Sequence, residues 1–295
     1  MTRSTTSEGR PGDPEDLADP AFLRRLAELA RSTALEAGQV LADRFSAAGP
    51  TKRVTDSVRS KSTRTDLVTE ADQASEQLIV ARLLAERPAD AIVAEESGSR
   101  EGTSGLTWVV DPLDGTINFV YGFPVFGVSI ACRSSIDGTT VVGVVHDPIR
   151  GETFSALLGG GAFRDGVRLV LEPGPELGEA LVGTGFSYQS GRRAAQASLL
   201  GSILPRVRDI RRAGAAAIDL CWVAAGRLDA FYEAGLAPWD LAAGSLIVTE
   251  AGGTVDQTDG LLRGHRGVST LIAAAPGLGA TLGEVLLEAR HREDP

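Results

Sequence analysis

Asp111 and Asp114 leave the end of an apolar run, Trp108-Val109-Val110, with only Pro112 and Leu113 between them and Gly115-Thr116 after them. A proline fixes the turn, so two carboxylates depart from a buried strand in a defined geometry. Like charges held that close repel and raise a pKa unless a cation sits between them. Oxygen-rich acidic sites suit Mg²⁺, which keeps several waters and is completed by a substrate phosphate. Gly115 and Thr116 could present backbone N–H groups to that phosphate, glycine permitting close approach. The spacing therefore reads as metal-and-phosphate chemistry.

Three further acidic groups carry two readings each. Asp72, near Asp66, follows Thr69 by three residues, where an acid can join a capping interaction and meet the helix dipole. Glu95-Glu96 closes the apolar "AIVA" and could be a solvated strand end. Asp240 follows Trp239 and could cap the helix after it. A covalent rival also uses such parts: phosphotransferases of the haloacid-dehalogenase type carry Asp-x-Asp-Gly-Thr, with the first Asp as nucleophile. Here the acids are three apart and lie over a hundred residues into the chain, and both departures count against that chemistry.

The elements that must position these acids are legible as patterns. Leu23, Leu26, Leu29, Ala30 and Leu35 recur at helical spacing after Pro20. A basic, irregular stretch (51–65) reads as a loop, and Thr69 opens a second helix that Pro88 follows. From about residue 125 the pattern turns to strands and tight turns, "VFGVSIACRS", "TTVVGVVHDP", "ETFSALL" and "GGAFRDG". After Pro175, "QASLLGSILPRV", "GAAAIDLCWVAAGR" and "DLAAGSLIVTEAGG" read as helices and "LDAFYEA" as a strand. Strands in blocks between helix pairs indicate an α+β layered protein. Residues 1–18 read as a disordered tail, 19–172 as an N-terminal α+β half with most metal ligands, and 173–295 as a C-terminal α/β half.

The chain has 295 residues, 43% hydrophobic and 23% charged, an ordinary globular composition. A formal net charge of −10 opposes a broad nucleic-acid or anionic-membrane surface, though bound cations can invert the sign locally. No run is long enough to span a membrane and no signal-peptide core is evident, so a cytoplasmic protein is expected. Cys132 and Cys221 read as buried thiols, and no histidine stands beside an obvious nucleophile.

Together, "KSTRTDLVTEAD" (61–72), "AEES" (94–97), "WVVDPLDGTINFVYGFPVFGVSIA" (108–131) and "APWDLAAGSLIVTEAGG" (237–253) resemble the inositol monophosphatase family of Mg²⁺-dependent, lithium-sensitive phosphatases. The match covers most of residues 20–285, in order. It implies a layered αβαβα sandwich of the inositol monophosphatase / fructose-1,6-bisphosphatase type, two to three Mg²⁺ ions, Li⁺ as inhibitor and a homodimer. By position, Glu95, Asp111 and the Leu113 carbonyl resemble ligands of a first metal, and Asp111, Asp114 and Asp240 those of a second. Thr116 and Asp72 match the pair that orients and deprotonates the attacking water, with Glu96 beside the ions. Gly115, Thr116, Ala216, Glu233 and Asp240 fall at substrate-binding positions.

The "INF" of residues 117–119 and Glu233 resemble the inositol branch, which implies a small phosphorylated polyol as substrate and neither nucleic acid nor membrane as partner. Histidinol phosphate, fructose 1,6-bisphosphate, NADP and 3′-phosphoadenosine 5′-phosphate are the alternatives for the same chemistry. A mainly regulatory interaction protein is the alternative of a different class. Two departures stand out: Ala215 replaces a Ser or Thr common after Gly214, and Ala94 stands where Gly is usual. The apolar "PVFGVSIACRS" (124–134) is one stretch that could contribute to the dimer contact the resemblance implies.

Overall fold

A computed structural model describes residues 17, 19–48, 59–60, 67–262, 264–265 and 267–291. The expected tail, most of the basic stretch 51–65 and Asp66 lie outside the described residues. Within that stretch the chain forms a two-residue strand instead of continuous loop.

Helix α1 (Pro20–Ala48) starts where the Asp19 carboxylate accepts the Ala21 N–H (2.8 Å). It buries Leu23, Leu26, Ala30, Ala34, Ala37 and Leu41 along one stripe. Strands β1 (Arg59–Ser60) and β2 (Leu67–Val68) pair antiparallel ahead of α2 (Glu70–Glu86). There follow β3 (Ala91–Ala94), β4 (Gly98–Arg100), β5 (Leu106–Asp114), the short helix α3 (Thr116–Tyr121), β6 (Gly127–Ser134), β7 (Thr140–Asp147), β8 (Glu152–Leu157), β9 (Gly161–Arg164) and β10 (Val167–Leu169). The second half of the chain runs β11 (Leu181–Thr184), α4 (Ser190–Ile203), β12 (Asp209–Arg211), α5 (Ala216–Ala224), β13 (Ala230–Ala234), α6 (Pro238–Glu250), β14 (Thr254–Asp259), β15 (Ser269–Ala274) and α7 (Gly279–His291).

The strands form an eight-stranded sheet, β10-β9-β8-β7-β6-β5-β3-β4, and a five-stranded one, β12-β11-β13-β15-β14. Side-chain alternation along the strands assigns the layers. Trp108 and Val110 of β5 pack with α1 and α2, whereas Val109 packs with α5 and α6. Phe231 of β13 joins that same central layer, whereas Ala230 and Tyr232 face α4 and α7. The order is helix pair, sheet, helix pair, sheet, helix pair: the expected αβαβα sandwich. With helices on both faces of both sheets, β5 is buried on both sides, which is why its sequence reads as an unbroken apolar run.

β6 is the neighbour of β5 inside the large sheet, and Val125, Phe126, Val128, Ile130, Ala131 and Cys132 are all buried. Most of the "PVFGVSIACRS" stretch is therefore core, with Pro124 exposed at its start and Arg133 half-buried near its end. The helix α3, the edge strand β14 and the helix α7 have no counterpart in the pattern reading. α3 is too short to show a period, and β14, "TVDQTD", is polar on its exposed positions.

Candidate active site

The parallel pairing of β3 with β5 puts Ala94 opposite Val110, and the Glu95 N–H continues the ladder to the Val110 carbonyl (3.2 Å). Glu95 and Asp111 consequently leave neighbouring strand ends side by side. Between Asp111 and Asp114 the register against β6 breaks at Pro112, a bulge that turns Asp114 toward the same space. Asp240 arrives from the third position of α6, which Ser129 anchors to the sheet through the Trp239 carbonyl (3.2 Å). Glu95, Asp111, Leu113, Asp114, Gly115, Thr116, Ala216, Glu233 and Asp240 all line one cavity of about 240 Å³. Asp72 and Glu96 lie outside its wall.

Three of these acids are aimed by backbone amides. Asp111 accepts from Leu113 N–H (3.0 Å), Asp240 from Ala237 N–H (2.7 Å), and Asp114 from Ala216 (3.1 Å) and Ala217 (2.8 Å) at the N-terminus of α5. Ala216 thus spends its amide on the Asp114 carboxylate. Burial, then the charges of Glu95, Asp114 and Asp240, push the Asp111 carboxyl well above the usual range. Burial raises Asp114 to about 7 against the opposing pull of those α5 amides. Asp240 is raised by burial and by Asp114.

Crowded, buried and oriented oxygen donors of this kind fit a hard divalent cation. Among the described residues no three carboxylate, imidazole or thiol groups stand close enough to hold an ion.

Asp72 caps its helix with one oxygen and meets Thr116 with the other. Its Oδ2 accepts the Thr69 N–H (2.7 Å) and hydroxyl (2.6 Å), completing a capping box for α2. Its Oδ1 faces the other way and meets the Thr116 hydroxyl (3.0 Å). Thr116 links Asp72 to the cavity wall. The Thr116 hydroxyl also lies 3.1 Å from the Leu113 carbonyl, and its single proton can serve one acceptor at a time.

Gly115 has φ of 95°, and a Cβ there would come 2.9 Å from the Val125 carbonyl and 3.2 Å from the Phe126 and Ala215 side chains. Gly115→Ala is expected to cost about 1–3 kcal/mol of stability and to displace the start of α3, measured by urea unfolding. Parent-like stability in that variant would show that the turn relaxes freely.

Asn118 and Phe119 turn out to be structural. The Asn118 amide donates to the carbonyls of Val125 (2.7 Å) and Ala213 (2.9 Å), tying α3 to the turn that starts α5. Phe119 packs against Phe45 and Phe126, ring centroids 5.7 and 5.1 Å away. Neither lines the cavity.

Glu233 sits at the far side of the cavity, raised to about 7 by burial against the opposing pull of Arg212. A methyl at Gly185 would occupy the place of its carboxylate. Gly185, Phe186, Ser187, Tyr188 and Arg212 also line the cavity, and the sequence reading missed all five. They come from the segment after β11 and the turn before α5, regions with no periodic signal.

The inositol monophosphatase family model matches residues 23–293. The chain is 46% identical over 236 residues to the inositol-1-monophosphatase of Mycobacterium leprae, covering 76% of this chain and 79% of that protein. It is 44% identical over 215 residues to the Nus factor SuhB of Escherichia coli K12, covering 72% and 79%. Among solved structures, SuhB of Mycobacterium tuberculosis superposes with a TM-score of 0.74 at 39% identity, covering 92% of this chain and 98% of that one. The IMPase of Thermotoga maritima gives 0.78 at 31%, covering 91% and 99%. With its fold, its acidic cavity and its sequence in agreement, the chain belongs to the inositol monophosphatase family.

Proposed function

We propose that this protein is a Mg²⁺-dependent phosphate monoester hydrolase whose substrate is inositol 1-phosphate. One observation carries the reading: a single cavity gathers Glu95, Asp111, Asp114 and Asp240 at one side and Glu233 at the other. Glu95, Asp111 and the Leu113 carbonyl would hold a first ion, and Asp111, Asp114 and Asp240 a second. Such ions supply Lewis acidity, lowering the pKa of water and neutralising charge on phosphoryl and leaving-group oxygens.

The chain's own residues do the rest. Gly115 and Thr116 offer amides to the phosphoryl oxygens. The Thr116 oxygen orients the attacking water, and Asp72 takes the proton that Thr116 relays as the new P–O bond forms; the ester P–O bond breaks with its electron pair on the polyol oxygen, which takes a proton from solvent water. Glu233 accepts hydrogen bonds from the polyol hydroxyls. The same reading includes a homodimer in the cytoplasm; among the described residues no helix is long and apolar enough to cross a membrane.

The test is phosphate release, with and without Mg²⁺, from inositol 1-phosphate, fructose 1,6-bisphosphate, 3′-phosphoadenosine 5′-phosphate, histidinol phosphate and NADP. Activity on none of them would sink the reading. A preference for histidinol phosphate would keep the chemistry and overturn the substrate. Glu233→Ala is expected to raise KM for inositol 1-phosphate about 10- to 100-fold, since a polyol then loses a buried hydrogen-bond partner. An equal effect on every ester would remove Glu233 from substrate choice.

The Nus factor relatives favour a second reading, an interaction protein whose role needs no catalysis. Cells carrying Asp111→Asn separate the two: loss of the cellular role together with hydrolysis favours the enzyme, and its retention favours interaction.

A further inference from the structure

Three buried polar residues in the first two turns of α2 each hold a different piece of the site. Asp72 reaches Thr116, Ser75 donates to the Pro112 carbonyl inside the β5 bulge (2.8 Å), and Glu76 faces the hairpin between β3 and β4. That hairpin is tight: Ala94 pairs with Gly98, leaving Glu95, Glu96 and Ser97 as the loop. The two successive amides of Glu96 and Ser97 converge on Glu76, donating to Oε2 and Oε1 at 2.8 Å each. Consecutive N–H groups of this kind form an anion-binding concavity. Here an internal carboxylate, only 5% exposed, fills it.

We propose that Glu76 is a positioning residue that sets the protein's affinity for divalent cations, by locking the hairpin so that Glu95 is held beside Asp111. The inference rests on the reading of Glu95 as a metal ligand. With Glu76 clamped on the following two amides and the Glu95 N–H bonded to Val110, the backbone on both sides of Glu95 is fixed. A side chain so held pays little ordering entropy on meeting a cation. Groups that orient a ligand without touching the ion typically change affinity 10- to 100-fold when removed.

Glu76→Gln is the test. It keeps the shape, but its amide nitrogen must face one of the two N–H donors, so one half of the clamp is lost. The probe is Mn²⁺ alone, titrated into the metal-free full chain and followed by electron paramagnetic resonance. The expected result is an apparent Kd for Mn²⁺ raised about 10- to 100-fold, with kcat recovering and KM unchanged once Mg²⁺ is saturating. A purely structural residue would lower Tm without moving the Mn²⁺ Kd. Unchanged Mn²⁺ affinity in a folded variant overturns the inference, whereas a parent that binds no Mn²⁺ overturns the ligand reading beneath it. Should the variant fail to fold, amide exchange in the metal-free parent decides. Slow exchange at Glu96 and Ser97 supports a clamp formed before the cation, and fast exchange that metal abolishes refutes it.

Discussion

An Asp111→Asn chain is expected to lose at least about a thousandfold of its phosphate-ester hydrolysis, roughly 4 kcal/mol of transition-state stabilisation, while folding at least as well as its parent. The two halves of that result share one cause. Asp111 is 1% exposed and stands among Glu95, Asp114 and Asp240, with its carboxyl raised by burial and by all three. Asparagine keeps the shape and the oxygen that accepts the Leu113 N–H, but removes one member of a repelling buried set. Without metal, that relief should stabilise the chain by on the order of 1 kcal/mol, the usual yield when a strained site is relaxed. A neutral amide is a far weaker ligand for a hard cation and cannot serve two ions at once. The checks are kcat/KM across a Mg²⁺ series and Tm in chelator. Retention of a tenth of the activity would remove Asp111 from the metal set, and a lower Tm in chelator would make it a structural residue.

The parts of the site that were legible in the sequence are those whose local context already looks anomalous. Two acids at the mouth of a core strand, a proline between them and a glycine after them announce a conflict that a retained proton or a bound cation relieves. The bulge at Pro112 and the αL conformation of Gly115 follow from those residue types. The capping role of Asp72 was readable from its spacing after Thr69, and its other oxygen meets Thr116.

The far wall was not legible, for the opposite reason. Arg212, Tyr188 and Gly185 lie in irregular segments, and their meaning depends on Glu233, which reaches them only through the packing of β13 beside β11. Glu76 was hidden differently. One helical turn after Asp72, it reads as an ordinary polar position, and nothing local says that it points inward at two amides twenty residues on. "INF" was legible as a resemblance but not as physics. Its asparagine is a staple between two carbonyls far apart in the chain, and its phenylalanine belongs to an aromatic cluster with α1.

In chelator, the protein is expected to lose stability as pH rises from about 4 to 7, against the usual behaviour of acidic proteins, and Mg²⁺ is expected to abolish that loss. Asp114 moves from an ordinary 3.8 to about 7 on folding, Glu233 from 4.5 to about 7, and Asp111 and Asp240 shift the same way. Over that interval the folded state binds more protons than the unfolded one, so the slope of unfolding free energy against pH is negative. The contribution is complete below the ordinary carboxylate value and gone once pH has passed through the folded one. At about 1.4 kcal/mol per pH unit per group, Asp114 alone would account for roughly 4 kcal/mol as an upper figure, and because the acids titrate together their shares do not add.

Mg²⁺ is expected to act in the opposite sense. A cation held as proposed would bind the deprotonated set, so its apparent affinity should climb as pH rises toward 7 and its uptake should release protons. Urea unfolding at several pH values, in chelator and in Mg²⁺, measures both effects, with Asp111→Asn giving a shallower decline in chelator because one member of the set no longer titrates. Metal-free stability that stays flat or rises across the interval would mean that the carboxylates are already compensated by the protein, and the cavity would then have no physical need of a cation.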